Sequence, residues 1–453
     1  MPLLHYDILC LIADYLDGKD RRQMLLVCRQ WYLDAFFKAY ERVEVEGHQA
    51  YRLARAVQRN PQIGRAIQFL TLEWSSTRDK KSRNSIKPFK NTLQQASPSN
   101  KYRTEWGKDL MKGDPDAWFA MLTVSLESVR ALTLEFNGSA KYLLTILARA
   151  AASERPFDSN PMLRRLEWVR IRNCSEFDAP LSTMLFPLLE FPALRVFSAD
   201  GICECPDQDY FENKRLSTRA SGIKGIKQLY LRRCNAKFGL KEFIESSISL
   251  EVFDYQHRDK VIRDEQGHTF CPNALYTSLY TQKHSLRVLR INNNGDTKPA
   301  KDWIPDGEDI NWGAFGSLAR FHRLRELRIP WRPLMGYGMT GLPMVSLVDI
   351  LPFGLEYLQL VYHCREDLGP MVETLENLLT QRERFPNLKV LEIQDGFPEW
   401  MTRSMGYSMV SVSLFVIVHT GRLHTMCEQL GIDFKLVPRF TRDEPLPWPL
   451  IEV

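Results

Sequence analysis

At 453 residues, 44% apolar and 25% charged, the chain has the composition of a folded protein with a large core, not of a disordered or fibrous one. A net charge of +5 over this length is too slight to mark a nucleic-acid binder, and nine scattered cysteines, an odd number, point to free thiols in a reducing, cytoplasmic or nuclear compartment. The N-terminus carries Asp7 and Asp14 without a basic leader, and the most apolar stretch, Met409 to Val418, has ten residues where a bilayer needs about 20, so neither secretion nor a membrane span is expected.

The opening residues predict three short helices. Ile8, Leu9, Ile12, Tyr15 and Leu16 recur at helical period. Gly18 follows where a helix C-terminus favours positive φ, and Asp20 with Gln23 three residues on reads as a capping box for a second helix. Met24 to Val27 supply its apolar residues, and a third helix begins near Cys28 and carries Trp31. Helices of about ten residues are marginal alone in water, so these faces need something to lie against.

From residue 41 a phrase of the form apolar-x-x-apolar-x-apolar recurs. Its middle apolar residue falls at Val43, Leu70, Leu132, Val169, Phe197, Leu229, Phe253, Leu289, Leu327, Leu358 and Leu391. Successive anchors lie 24 to 38 residues apart, with one gap of 62. Helical candidates such as Tyr51 to Asn60, Lys141 to Ala152 and Met371 to Phe385 lie between the phrases. One strand and one helix per repeat predict an α/β solenoid, with parallel strands on a concave face and helices on a convex one. The pattern is similar to that of leucine-rich repeat proteins. Small polar residues after several strands (Cys174, Cys234, Asn294) are expected to satisfy loop backbone groups, which makes those cysteines structural. The long gap holds Ser75 to Ala117, with ten Lys/Arg against five Asp/Glu and the run "RDKKSR" at Arg78 to Arg83. That composition predicts a solvated, partly disordered insertion in preference to a polyanion-binding or import patch. Gly431 to Phe440 is expected to add a last strand and cap. The expected organisation is a helical module over 1–40, a solenoid over 41–440 interrupted at 75–117, and a tail over 441–453.

Ile8, Leu9, Ile12, Leu16, Asp20, Leu25, Val27, Cys28, Arg29 and Trp31 together resemble the F-box, a three-helix module. An F-box ahead of irregular leucine-rich repeats resembles a fungal-type protein architecture. The resemblance implies docking on a Skp-family adaptor through Leu4, Ile8, Leu9, Ile12, Leu16, Leu25, Val27 and Trp31, and through the adaptor on a cullin–RING ligase. It implies that the repeats hold a protein substrate for ubiquitin transfer. Two positions depart from the family: Leu4-His5 stands where Leu-Pro is usual, and Arg21 where Leu is frequent. The alternative is a repeat scaffold whose three helices cap the array and are not coupled to ubiquitin transfer.

Strand alternation places the residue after each anchor, and the one two further on, on the concave face. The early turns there are acidic (Glu44, Glu46, Glu73, Glu135), and a basic patch builds around Arg170, Arg172, Arg232, Arg290 and Arg328, interrupted by Asp200 and Asp254. These arginines are the expected substrate contacts. No catalytic, cofactor or metal site is expected. "GYGMTG" (Gly336 to Gly341) matches a dinucleotide fingerprint, yet "WRPLM" separates it from its strand. Cys203 and Cys205 lack a second ligand pair, and His419 and His424 have the wrong separation for one helical face.

Overall fold

The computed structural model describes residues 5–74, 85–136, 140–173, 182–202, 225–234, 240–257, 271–293, 314–336, 344–362, 365–395 and 409–437. The chain forms two compact units, essentially Met1–Leu231 and the residues from Arg232 onward.

The N-terminal unit opens with α1 (Tyr6–Tyr15), α2 (Gly18–Met24) and α3 (Arg29–Glu41). Leu9, Ala13 and Met24 form their core, with Leu16 and Trp31 packed against it. The ε-ammonium of Lys38 on α3 reaches Asp14 on α1 at 2.8 Å and Glu41 at 2.9 Å, fastening the two helices. Capping differs from expectation. Asp17, not Asp20, caps α2 by accepting from the amides of Lys19 and Asp20, so Gly18 starts that helix instead of ending the previous one. The nearer aspartate wins because its carboxylate meets amides two and three residues on. Cys28 caps α3, its sulfur accepting from the Trp31 amide at 3.5 Å.

Strands β1 (Arg42–Glu46), β2 (Phe69–Glu73), β3 (Ala131–Phe136), β4 (Trp168–Asn173) and β5 (Val196–Asp200) follow, each parallel to the next. Val43, Leu70, Leu132, Val169 and Phe197 are aligned in one register row, as are Val45, Leu72, Leu134, Ile171 and Ala199, and both rows are buried. Helices α4 (Ala50–Arg59) and α5 (Pro61–Ala66) connect β1 to β2, with Asn60 capping α5.

Between β2 and β3 the expected disordered insertion is corrected. Residues 75–84, with their basic run, lie outside the described residues, but from residue 87 the segment folds as a short 3-10 turn (Lys87–Phe89), α6 (Lys90–Ala96), α7 (Asn100–Lys112) and α8 (Pro115–Thr123). Ser99 and Asp114 cap α7 and α8, and Gly113 closes α7 in the left-handed conformation at φ 78°. Two tryptophans lock this layer: the Trp106 indole donates to the Ala117 carbonyl at 3.0 Å, and the Trp118 indole to Leu110 at 2.9 Å. Apolar spacing at Phe89, Leu93 and Ala96, then Trp106 and Leu110, outweighs the polar composition. α9 (Lys141–Ala151) packs beside α8, and α10 (Ser182–Leu185) precedes β5.

β6 (Gln228–Cys234) spans the division between the units. The C-terminal unit continues with α11 (Lys241–Glu245), β7 (Val252–His257), α12 (Pro272–Tyr280), β8 (Val288–Asn293), β9 (Glu326–Pro330), α13 (Trp331–Met335), α14 (Leu347–Ile350), β10 (Tyr357–Tyr362), α15 (Arg365–Thr380), β11 (Val390–Asp395), α16 (Met409–Gln429) and β12 (Asp433–Val437). From β7 to β12 each strand again pairs parallel to its successor. Phe253, Leu289, Leu327, Leu358, Leu391 and Phe434 share one row. All eleven sequence anchors sit at the second position of their strands. Cys234 is buried, and its thiol donates to the Arg232 carbonyl at 3.0 Å; Cys174 and Asn294 lie outside the described residues.

Candidate functional site

The N-terminal helices expose a broad apolar surface. Ile8, Leu11, Ile12 and Tyr15 line one side of α1, with Ile8 44% and Tyr15 90% exposed. The turn after α2 presents Leu26, 77% exposed, and Val27, while Leu33 and Phe37 stand out from α3. At positions i, i+3, i+4 and i+7, the four α1 residues form a continuous stripe. The opposite duty falls to Leu9 and Leu25, which are buried within the same molecule. Their assignment to a partner-facing surface is therefore corrected: on a helix this short, Leu9 lies about 100° from Ile8 and turns inward. Leu16 and Trp31 are half-buried against the module's core, and Leu4 lies outside the described residues. The inward side of α3 carries Ala35, Phe36 and Ala39, all buried, and α3 lies on α5 and β1. The helices thus do cap the first strand, and they do so while leaving the α1 stripe open.

On the outward strand face of the N-terminal unit, Glu46, Glu73, Glu135 and Arg172 stand side by side in register. The Arg172 guanidinium is ion-paired with Glu135. Burial pushes the Glu73 carboxyl up, and the neighbouring charges of Glu135, Glu44 and Glu46 add to the shift. Arg170 is half-buried beside Thr133 and Ser198.

In the C-terminal unit the corresponding row runs Asp254, Arg290, Arg328, Gln359, Glu392 and Lys435. Arg290 lies 2.6 Å from Glu326 and 3.6 Å from Asp254. Burial pushes the Asp254 carboxyl up, while Arg290, Arg232 and Arg328 act the other way. Arg328 donates to Gln394 at 2.8 Å, and Tyr357 donates to Glu392. Gln359 is only 2% exposed and Gln394 is buried beside it, so these two amides of β10 and β11 are closed to solvent while Glu392 between them in sequence is half-buried. The basic patch expected from sequence is therefore not a field of free cations. Arg172 and Arg290 are matched by carboxylates one strand away, which the sequence pattern had placed on the same row without saying that they would meet.

The other sequence signals fall in part outside the described residues. Gly336, at φ +59°, ends α13, and the rest of the glycine-rich motif lies outside the described residues, as do Cys203 and Cys205. His424 packs its ring on Phe434 of β12 at 5.8 Å. Among the described residues no cluster of three His, Cys, Asp or Glu side chains is placed to hold a metal, and no helix is long and apolar enough to cross a membrane.

The register rows and the strand-then-helix order are those of a stacked repeat, and the leucine-rich repeat domain family matches residues 83–394. The chain belongs to that family. No curated protein matches the chain. A leucine-rich repeat domain is a protein-binding scaffold, and such domains are as a type non-catalytic. The family match begins ahead of the helical layer α6–α8 and takes in all three helices, so that layer belongs with the repeats and not to a separate insertion.

Proposed function

We propose that the protein is the substrate-recognition subunit of a Skp–cullin–F-box ubiquitin ligase: α1–α3 dock on the Skp-family adaptor, and the leucine-rich repeats hold the protein to be ubiquitinated. The observation that carries this reading is the uncovered stripe of Ile8, Leu11, Ile12 and Tyr15 with Leu26 and Val27 exposed nearby in sequence. A module built only to cap the repeats has no use for apolar side chains on its far side, where they cost solubility. The F-box resemblance names the partner. Covering five half-exposed aliphatic side chains contributes about 1 kcal/mol each, half the value for full burial. That is of the order of the lower bound for the cost of association, about 4 kcal/mol, and suits a contact that forms and dissociates. Substrate capture is assigned to the strand face, with Arg170 and Arg172 in one unit and Arg232, Arg290 and Arg328 in the other as its cationic groups. Because the carboxylates of Glu135, Asp254 and Glu326 hold two of them, Arg172 and Arg290, in fixed geometry, these recognise shape and hydrogen bonds more than bulk charge.

Co-purification with a Skp-family adaptor tests the first half. Wild type is expected to retain the adaptor, and Ile8→Asp with Ile12→Asp to lose it while keeping the far-UV spectrum. Leu9→Asp, by contrast, is expected to unfold the helices. A wild-type protein that retains no adaptor, or a double variant that retains as much as wild type, overturns the reading. The second reading is a scaffold that is not coupled to ubiquitin transfer, and the packing of α3 on α5 and β1 favours it. It predicts partner binding through the repeats with no adaptor present.

A further inference from the structure

The helical side of the N-terminal unit carries a feature that the adaptor and strand-face readings leave unused. On α4, Arg52, Arg55 and Arg59 are exposed at i, i+3 and i+7, which places them in one stripe about 10 Å long. The opposite side of the helix is the buried one, through Ala50, Ala54 and Val57. Gln58, next on the helix surface, donates its amide to the Pro88 carbonyl, and the Trp118 ring meets both Tyr51 of α4 at 4.8 Å and Phe89 at 5.2 Å. These contacts bring the 3-10 turn and the start of α6 alongside α4. Phe89 points inward, and Lys87 and Lys90 on either side of it are exposed.

Five cations thus share one surface, and none of them is ion-paired or hydrogen-bonded through its side chain to another described residue. Some other exposed cations of the same unit do find partners, as Lys112 does with Asp109 and Lys141 with Glu105. A stripe of unmatched like charge costs self-repulsion on a helix, because residues three and four apart are neighbours.

We propose that this surface is a docking site for an acidic, Asp/Glu-rich peptide segment of a partner protein. Charge complementarity selects an anionic occupant, and three further observations choose among anions. No exposed large apolar or aromatic side chain lies on α4, α5 or residues 85–96, so there is neither a platform for stacking bases nor a wedge for a bilayer. The stripe is short, whereas polynucleotide affinity grows with the number of phosphates neutralised. The strand face of the same repeats bears Glu44, Glu46, Glu73 and Glu135, which repel a long polyanion passing beyond the patch. An extended peptide presents same-side residues every ~7 Å, so two or three of its carboxylates meet the arginine forks. The site is independent of α1 and of the strand face.

Binding of a fluorescein-labelled oligoglutamate peptide, followed by anisotropy, tests the proposal on the full chain. Wild type is expected to bind, more weakly as salt is raised. Arg52→Glu with Arg55→Glu and Arg59→Glu is expected to weaken binding at least tenfold while leaving adaptor co-purification unchanged. The pair Lys87→Glu and Lys90→Glu, on a different segment, is expected to weaken it independently, so the test survives a triple variant that fails to fold. Lys241→Glu in the other unit is expected to have no effect. Absence of peptide binding by wild type, or equal binding by both charge-reversed proteins, overturns the proposal. So does tighter binding to a single-stranded oligonucleotide of the same charge, or co-sedimentation with phosphatidylserine vesicles that the triple variant abolishes.

Discussion

Asp116 is the buried carboxylate on which the helical layer of the N-terminal unit turns. It sits on α8, only 5% exposed, and accepts from the amides of Tyr142 at 2.6 Å and Leu143 at 3.0 Å, the first turn of α9. α9 has no cap of its own, because Ala140 precedes it. Asp116 therefore caps a helix 25 residues further along the chain, joining α8 to α9. Asp116→Ala leaves two buried N–H groups without acceptors, at about 1–3 kcal/mol each. Relief from burying the carboxylate offsets part of that, and the net loss is expected at about 2–4 kcal/mol. Asp116→Asn keeps one carbonyl acceptor and is expected to lose about half as much. Burial pushes this carboxyl up to about 7 against the pull of its two amide donors. The folded protein then binds the proton more tightly than the unfolded one, so this group's contribution is greatest below about pH 4, falls as pH rises to about 7, and is constant above. Hydrogen exchange at the Tyr142 and Leu143 amides, with thermal unfolding at a series of pH values, reads both effects. Exchange in Asp116→Ala at the wild-type rate, or an Asp116→Asn protein that keeps the wild-type slope between pH 4 and 7, refutes the reasoning.

In the C-terminal unit, Arg332 clasps the buried Asp367 at 2.8 and 3.0 Å, tying α13 to α15. Arg332→Ala is expected to cost about 3–5 kcal/mol in denaturant unfolding by removing the guanidinium from that buried carboxylate, and Arg332→Met with Asp367→Leu to recover most of it. Gly336→Ala is expected to destabilise by about 1–3 kcal/mol in the same assay, since φ is +59° and an added Cβ comes 2.8 Å from the Ala314 nitrogen. In maleimide labelling at neutral pH, exposed Cys28 is expected to react in the native protein. Cys427 is buried and its thiol is pushed up to about 11 by burial, so it is expected to react only after unfolding.

The strands were legible because each carries its signal within six residues. The anchor and the residue two beyond it face the core, as Phe253 and Tyr255 do, and period two is short enough to survive irregular loops. Helices with a clean apolar face, such as α4 and α9, were equally plain. The layer α6–α8 was not, because polar residues crowd α6 and α7 while Trp106, Trp118 and Leu110 hold it together; counting charges hid the aromatic spacing. On α1 the resemblance gave the right residue types but not which of two adjacent apolar side chains turns inward, a matter of 100° that needs α3 in place. Arginines on the strand face were located correctly and their partners were not, since Glu326 and Arg290 are 36 residues apart and meet only across a ladder. The cation stripe at Arg52, Arg55 and Arg59 was readable from spacing alone, and only the approach of Lys87 and Lys90 required coordinates.

Hydrogen bonds between neighbouring strands fix which residue faces which, yet they set no condition on how much chain lies between them. Additions and losses in the connections are absorbed locally, and the ladder from β2 to β3 closes as well over its long excursion as the others over their short ones. One residue gained or lost within a strand is a different event. It turns Leu391 and Ile393 outward and draws Glu392 inward, breaking that strand's buried row even though the next connection absorbs the shift. Length is therefore a loose variable of this fold and strand phase a strict one.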